Sequence, residues 1–197
     1  MKYFSLTVIS VLLFSCEQNF VPKPKGYFRF DLPEHGYQKL EENHPFSFEY
    51  STAAKAQPHV SSISEAHWID IVYPEYKATI QLTYKDLTND KFEKTKEKFL
   101  NELVNDSYKL TSKHQVKAYA IDESVVKTPT GKSVTIFELE GDVPSQFQFY
   151  LTDTTHHFIR GALYFRTATK NDSLKPIIDY IKIDMMHLIN SLEWSKN

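Results

Sequence analysis

The sequence predicts an α+β fold, an antiparallel β-sheet with two amphipathic helices packed on it. Three observations carry this expectation. Short segments alternate apolar and polar residues. In Ala78–Tyr84, Ala78, Ile80, Leu82 and Tyr84 share one face, and Thr79, Gln81 and Thr83 the other. That period of two marks a half-buried antiparallel strand. Two longer stretches instead place apolar residues at steps of three and four, the stripe of an amphipathic helix. Finally, a run of strands lies between those helices, which implies an antiparallel sheet rather than strand–helix repeats. The chain has 197 residues, of which 41% are hydrophobic, including 14 Phe and 12 Tyr, so a core is affordable and global disorder is excluded.

The elements follow in order. Phe46–Tyr50 alternates as a short strand. Ser51–Ser64 is rich in Ala, Ser, Gln and Pro and reads as a loop. His67–Tyr73 is the next strand, Pro74 and Glu75 form a turn, and Ala78–Tyr84 completes a hairpin. A helix begins near Asn89 and Asp90, where Asp90 and Glu93 have capping-box spacing. Its apolar stripe is Phe92, Phe99, Leu100, Leu103 and Val104, with lysines and glutamates on the solvated side. Further strands are expected at Val116–Ile121, Lys132–Glu140, Gln146–Leu151 and His157–Thr167. The final helix carries Leu174, Ile177, Ile178, Ile181, Met185, Leu188, Ile189 and Leu192 on one stripe. Asp172 and Ser173 are its expected caps, Pro176 falls in its first turn, and Trp194 covers its end.

The N-terminus has a separate character. Lys2 precedes an uncharged run, Tyr3–Ser15, of thirteen residues. A spanning helix needs about 20 apolar residues, so residues 1–15 fit a signal peptide. The run ends Leu13-Phe14-Ser15-Cys16, which resembles a bacterial lipobox, with Phe14 larger than the usual residue there. Cys16 is the single cysteine of the chain, so no internal disulfide forms. Cys16 is the expected lipidation site: a diacylglycerol on its sulfur, cleavage before it, then a mature N-terminus. One acyl chain binds a bilayer marginally, whereas two or three on one residue hold firmly. Cleavage removes Lys2 and takes the formal net charge from −2 to −3. Residues 16–26 form a tether in which Pro22-Lys23-Pro24-Lys25-Gly26 favours extended polyproline geometry, roughly 3 Å per residue. Residues 27–197 are then a single α+β domain. At its start, Tyr27, Arg29 and Asp31 share one face of an extended strap and Phe28, Phe30 and Leu32 the other. Tyr27, Arg29 and Asp31, together with Trp68, make a candidate binding patch.

Other motifs carry little chemistry. Gly131-Lys132-Ser133 matches the tail of a phosphate-binding loop, but Val126 stands where the first glycine is required. The segment Pro129–Gly131 reads as a hairpin turn. His156 and His157 are strand neighbours that point to opposite faces, so no metal site is assigned to them. There is no Gly-x-Ser-x-Gly elbow, and 5 glycines leave little material for loops that cradle cofactors. The lysines are dispersed among glutamates, which excludes the basic face of a nucleic-acid binder. No catalytic residue, cofactor, metal or small-molecule substrate is therefore expected.

The lipobox-like end at Cys16, the segment Pro22–Pro33 and the strand His67–Pro74 together resemble the gliding motility lipoprotein GldD family of Bacteroidetes. The likeness spans nearly the whole chain, and the proline–lysine segment is its most specific part. It implies a role in surface gliding and the associated type IX secretion machinery, and carries no catalytic residues. The order of elements is also similar to the PsbP-like fold, which speaks to architecture alone. The expectation is a non-catalytic, lipid-anchored accessory or scaffold protein that meets other envelope proteins. The periplasmic leaflet of the outer membrane is the favoured site, with the inner membrane as the alternative. The competing expectation is a lipid-tethered small-ligand-binding module or weak hydrolase, which requires a deep pocket with convergent polar groups.

Overall fold

The computed structural model describes residues 30–41, 43–88, 95–166 and 171–195. Its strands are β1 (Tyr37–Lys39), β2 (Phe46–Ser47), β3 (Glu49–Ser51), β4 (Lys55–Pro58), β5 (Ile69–Tyr73), β6 (Ala78–Asp86), β7 (Ala118–Lys127), β8 (Ser133–Gly141), β9 (Phe147–Thr152), β10 (His157–Phe165) and β11 (Glu193–Trp194). Helix α1 is Lys96–Ser112 and helix α2 is Asn171–Ser191. Seven strands form one antiparallel sheet in the order β4-β5-β6-β10-β9-β8-β7. It consists of two meanders, β4 to β6 and β7 to β10, joined where β10 pairs with β6 along nine residues of each.

Alternation along the strands makes two different faces. Ile69, Ile71, Ile80, Leu82, Phe147, Phe149, Leu151, Ile159 and Leu163 point to one face and pack with Ile177, Ile181, Met185, Leu188 and Ile189 of α2. Phe158 points to the other face, where Phe99, Leu100, Leu103 and Val104 of α1 cover it together with Leu87. The two helices therefore lie on opposite sides of the sheet. Gly161 sits at the centre of β10, opposite Phe149 of β9 and Leu82 of β6. A Cβ there would lie 2.2 Å from Phe149 Cε1 and 3.0 Å from Leu82 Cδ2. The absent side chain is the space the phenyl ring fills.

Several local expectations are revised. Residues 51–64 are not all loop: β4 pairs with β5, Lys55 opposite Val72 and Pro58 opposite Ile69. An edge strand needs little apolar alternation and tolerates a terminal proline, so periodicity missed it. The Phe46–Tyr50 strand divides at Phe48. Its first part pairs with β11 and its second with β1. Strand β7 runs to Lys127, well past Ile121, because pairing with β8 extends it along a mostly exposed surface. Thr95 caps α1, its side chain accepting from the Lys98 N–H at 3.4 Å. The Asp90–Glu93 capping box and Phe92 lie outside the described residues. Helix α2 already includes Asn171, so Ser173 and Pro176 lie within it rather than at its cap and first turn. The proline falls where it interrupts one early hydrogen bond and leaves the long apolar stripe intact.

The hairpin at residues 128–131 is present as expected. Thr128 N–H donates to the Lys132 carbonyl at 2.9 Å, and Gly131 adopts φ +82°.

Candidate functional site

Helix α2 places one carboxylate among its apolar side chains. Asp184 is 1% exposed, between Ile181, Met185 and Leu188 on the sheet-facing stripe. A buried charge is tolerated when it is paired and hydrogen-bonded. Asp184 is both. His35 Nδ1 donates to Oδ1 at 2.7 Å, and the Tyr73 hydroxyl donates to Oδ2 at 3.0 Å. Aromatic rings enclose the pair. Tyr180 stacks on His35 with centroids 4.3 Å apart, and Tyr76 meets Tyr180 edge-on at 6.0 Å. Tyr37 stacks on His187 at 3.5 Å, and His187 Nε2 reaches Glu49 Oε2 at 2.7 Å.

Burial, then the Asp184 charge, pushes the Tyr73, Tyr37 and Tyr180 phenols up. They stay protonated, and the Tyr73 hydroxyl acts as a donor to Asp184. The arrangement has the Asp–His geometry of a general-base dyad. Yet among the described residues no hydroxyl or thiol is bonded to the second nitrogen of His35. The cluster joins the strap, residues 30–40, to α2. Phe30 and Leu32 pack on the core, Leu40 is buried, and β1 pairs with β3.

A second constellation lies at the other end of β5. His44 and His67 approach Nδ1 to Nδ1 at 3.0 Å. The Tyr84 hydroxyl meets His157 Nδ1 at 2.7 Å, and His157 stacks on Trp194 at 4.7 Å. Trp194 thus covers the end of the sheet through β11. Burial, then His44, lowers the His67 pKa. Burial also lowers His157, outweighing the opposing pull of Asp153. Burial pushes the Tyr84 hydroxyl up to about 12, with Asp86 and Asp153 adding to it. Burial works to raise the Asp153 carboxyl, but N–H bonds from His157, His156 and Thr155 win and hold it at about 2. His156 is exposed in the turn before β10 and His157, the first residue of that strand, is buried, so the two are not strand neighbours. Among the described residues no group of three or more His, Cys, Asp or Glu is arranged to hold a metal ion.

Native His67 and His157 resist protonation, while their unfolded counterparts accept protons near pH 6.5. Stability from these groups is fully present above pH 6.5 and is lost as pH falls through their lowered native values. Urea unfolding midpoints are expected to drop between pH 7.5 and 5.5. The double variant His67→Gln/His157→Gln should show a smaller drop; an equal one would remove these histidines as the cause.

The predicted patch is only partly visible. Tyr27, Arg29 and Cys16 lie outside the described residues. Asp31 is exposed on the strap. Trp68 is half-buried elsewhere: its Nε1 donates to the Tyr84 carbonyl at 3.1 Å, and the Lys85 ammonium lies 5.5 Å above its ring. Asp184, His35 and Tyr73 were missed by the sequence reading. The legible signal was a carboxylate standing inside the apolar stripe of α2.

A cavity of about 320 Å³ lies between α2 and β8, lined by Glu138, Glu140, Gln146, Lys175, Asp179 and Lys182 among others. Lys182 pairs with Glu138, and Lys175 with Asp179 at 3.0 Å. Its lysines are already neutralised from within, a poor setting for capturing a charged ligand.

Comparison with known proteins decides the family. The family model described as gliding motility lipoprotein GldD matches residues 17–194. The chain belongs to the GldD family. The match opens at Glu17, the residue after Cys16, and includes the strap, both helices and the whole sheet. No curated protein matches the chain. Among solved structures it is similar to the solution structure of cyanobacterial PsbP from Synechocystis sp. PCC 6803. The two are 10% identical over 85% of this chain and 98% of that one, with a TM-score of 0.47. The α+β class stands on the sheet and helices described above. As a GldD protein, the chain is a gliding motility lipoprotein associated with the cell envelope. No helix among the described residues is long and apolar enough to cross a membrane.

Proposed function

We propose that this GldD protein is a non-catalytic accessory or scaffold component of the gliding motility and type IX secretion machinery, anchored through acyl chains on Cys16. The periplasmic leaflet of the outer membrane is its favoured station, and other envelope proteins of the machinery are its partners. One observation carries the reading: the strap, residues 30–40, is built into the fold. His35 reaches across to Asp184, 149 residues away, and β1 pairs with β3. A binding module that merely floats on a linker has no need of that connection. Here, load applied through the tether passes into helix α2 and the main sheet. Such coupling suits a part that positions or braces an assembly.

Cys16→Ala tests the anchor. The variant is expected to leave the membrane fraction and to lose its crosslinked envelope partners, while wild type keeps both. A variant that remained membrane-bound with the same partners would defeat the proposal. So would purified protein that turned over a substrate and lost the activity on a single His or carboxylate change.

A further inference from the structure

Strand β7 ends the main sheet, and among the described residues β8 is its one partner. It is ten residues long and holds no proline. The opposite edge, β4, has four residues and closes on Pro58, which has no N–H to donate. A bulge between Ala118 and Ala120 bends the start of β7, but from Ala120 to Lys127 its register with β8 is unbroken. Val125 is 67% exposed on this edge. Glu123, Val125 and Lys127 oppose Phe137, Thr135 and Ser133 in turn, so the three side chains share one face.

We propose that a second copy of the chain pairs with this edge, β7 antiparallel to β7, about a two-fold axis through Val125. The proposal deepens the scaffold reading, on which it rests for the confinement of both copies to one membrane. Opposed residues in an antiparallel pair point their side chains to the same face. A two-fold pairing of one strand with itself is therefore centred on a residue, and few centres are available. Centring on Asp122 or Glu123 sets like carboxylates against each other, which is destabilising. Centring on Ser124 places Asp122 and Glu123 opposite valines. Centring on Val125 sets Val125 against its copy and Glu123 against Lys127 twice, symmetrically. Asp122 then faces Thr128, and the pairing closes at Pro129. The Tyr108 hydroxyl donates to the Glu123 carboxylate and holds it at this edge. One strand pair buries less than the roughly 1,200–2,000 Å² of a stable interface. The association is accordingly weak for dilute protein and strengthened when both copies share a bilayer, which raises their effective concentration.

The test is disulfide trapping of the full-length chain in cells. Directly opposed residues have Cα atoms about 4.5–5.5 Å apart, within the reach of a disulfide. Val125→Cys, treated with copper phenanthroline, is expected to give a species of twice the chain's mass, and the unsubstituted chain none. Ser124→Cys should trap at least fivefold less, because Ser124 faces Val126. Adding Lys127→Glu to Val125→Cys should cut trapping at least fivefold, and further adding Glu123→Lys should restore it. No trapping at Val125, equal trapping at Ser124, or indifference to the charge changes would each overturn the pairing. These substitutions are at an exposed edge, and thermal unfolding of each variant verifies its fold. If trapping fails while wild type still holds its envelope partners and Cys16→Ala loses them, the pairing falls and the scaffold reading stands.

Discussion

His35→Ala is expected to destabilise the protein by about 2–3 kcal/mol, the cost of leaving a buried carboxylate short of a hydrogen-bond donor. The reason is what remains behind. Asp184 is 1% exposed and would keep the Tyr73 hydroxyl as a donor. The His35 side chain is itself 30% exposed, so its removal admits water and moderates the loss. The decisive measurement is a double-mutant cycle by urea unfolding. In an Asp184→Asn background there is no charge to strand, and His35→Ala should cost less than about 1 kcal/mol, comparable to one neutral hydrogen bond. Additive effects would show that the pair is incidental. Hydrogen exchange adds a spatial signature: amides of Leu40 and Thr52, which donate to Phe48 and Gly36, should exchange faster as the strap loosens.

Gly161→Ala is expected to cost about 3 kcal/mol, the upper end of overpacking penalties. The new methyl would lie 2.2 Å from Phe149 Cε1 and 2.5 Å from Cζ. Atoms that close cannot coexist, and the ring has nowhere cheap to go. Phe149 is 1% exposed and packed in the cluster that α2 covers. Phe149→Ala alone should cost about 3–5 kcal/mol by leaving a cavity. Combined, the two changes should cost less than their sum, because the methyl then enters vacated space. Unfolding free energies that simply add would refute the idea that ring and glycine share one volume.

These two sites differ in how far the sequence disclosed them. The alternation of Phe147, Phe149 and Leu151, and of Ile159 and Leu163, was plain in the chain, but the glycine between Ile159 and Leu163 gave no sign of the ring that fills its place. The carboxylate of Asp184 was equally plain inside an apolar stripe. Its partner was not, because His35 lies 149 residues away, just beyond the segment Tyr27–Pro33 read as a strap with Asp31 and Arg29 as its chemistry. Strand β4 escaped notice since Lys55–Pro58 has no apolar alternation and is recruited by β5 through backbone bonds. The early end assigned to β7 has the same origin: Asp122, Glu123 and Ser124 look like a loop until β8 supplies the ladder.

Taken alone, the sequence determined the α+β class, the apolar stripes of both helices, the turn at residues 128–131 and the GldD resemblance. All of these are written in periods of two to four residues or in short contiguous motifs, where neighbours along the chain set the outcome. The tertiary structure alone decided that the helices take opposite faces, that β6 and β10 join the two meanders, and that His35 closes on Asp184. Those contacts link residues some 70 to 150 positions apart. Local pattern says which side of each element is apolar, but not which distant surface will cover it; that choice is made by packing the whole chain at once.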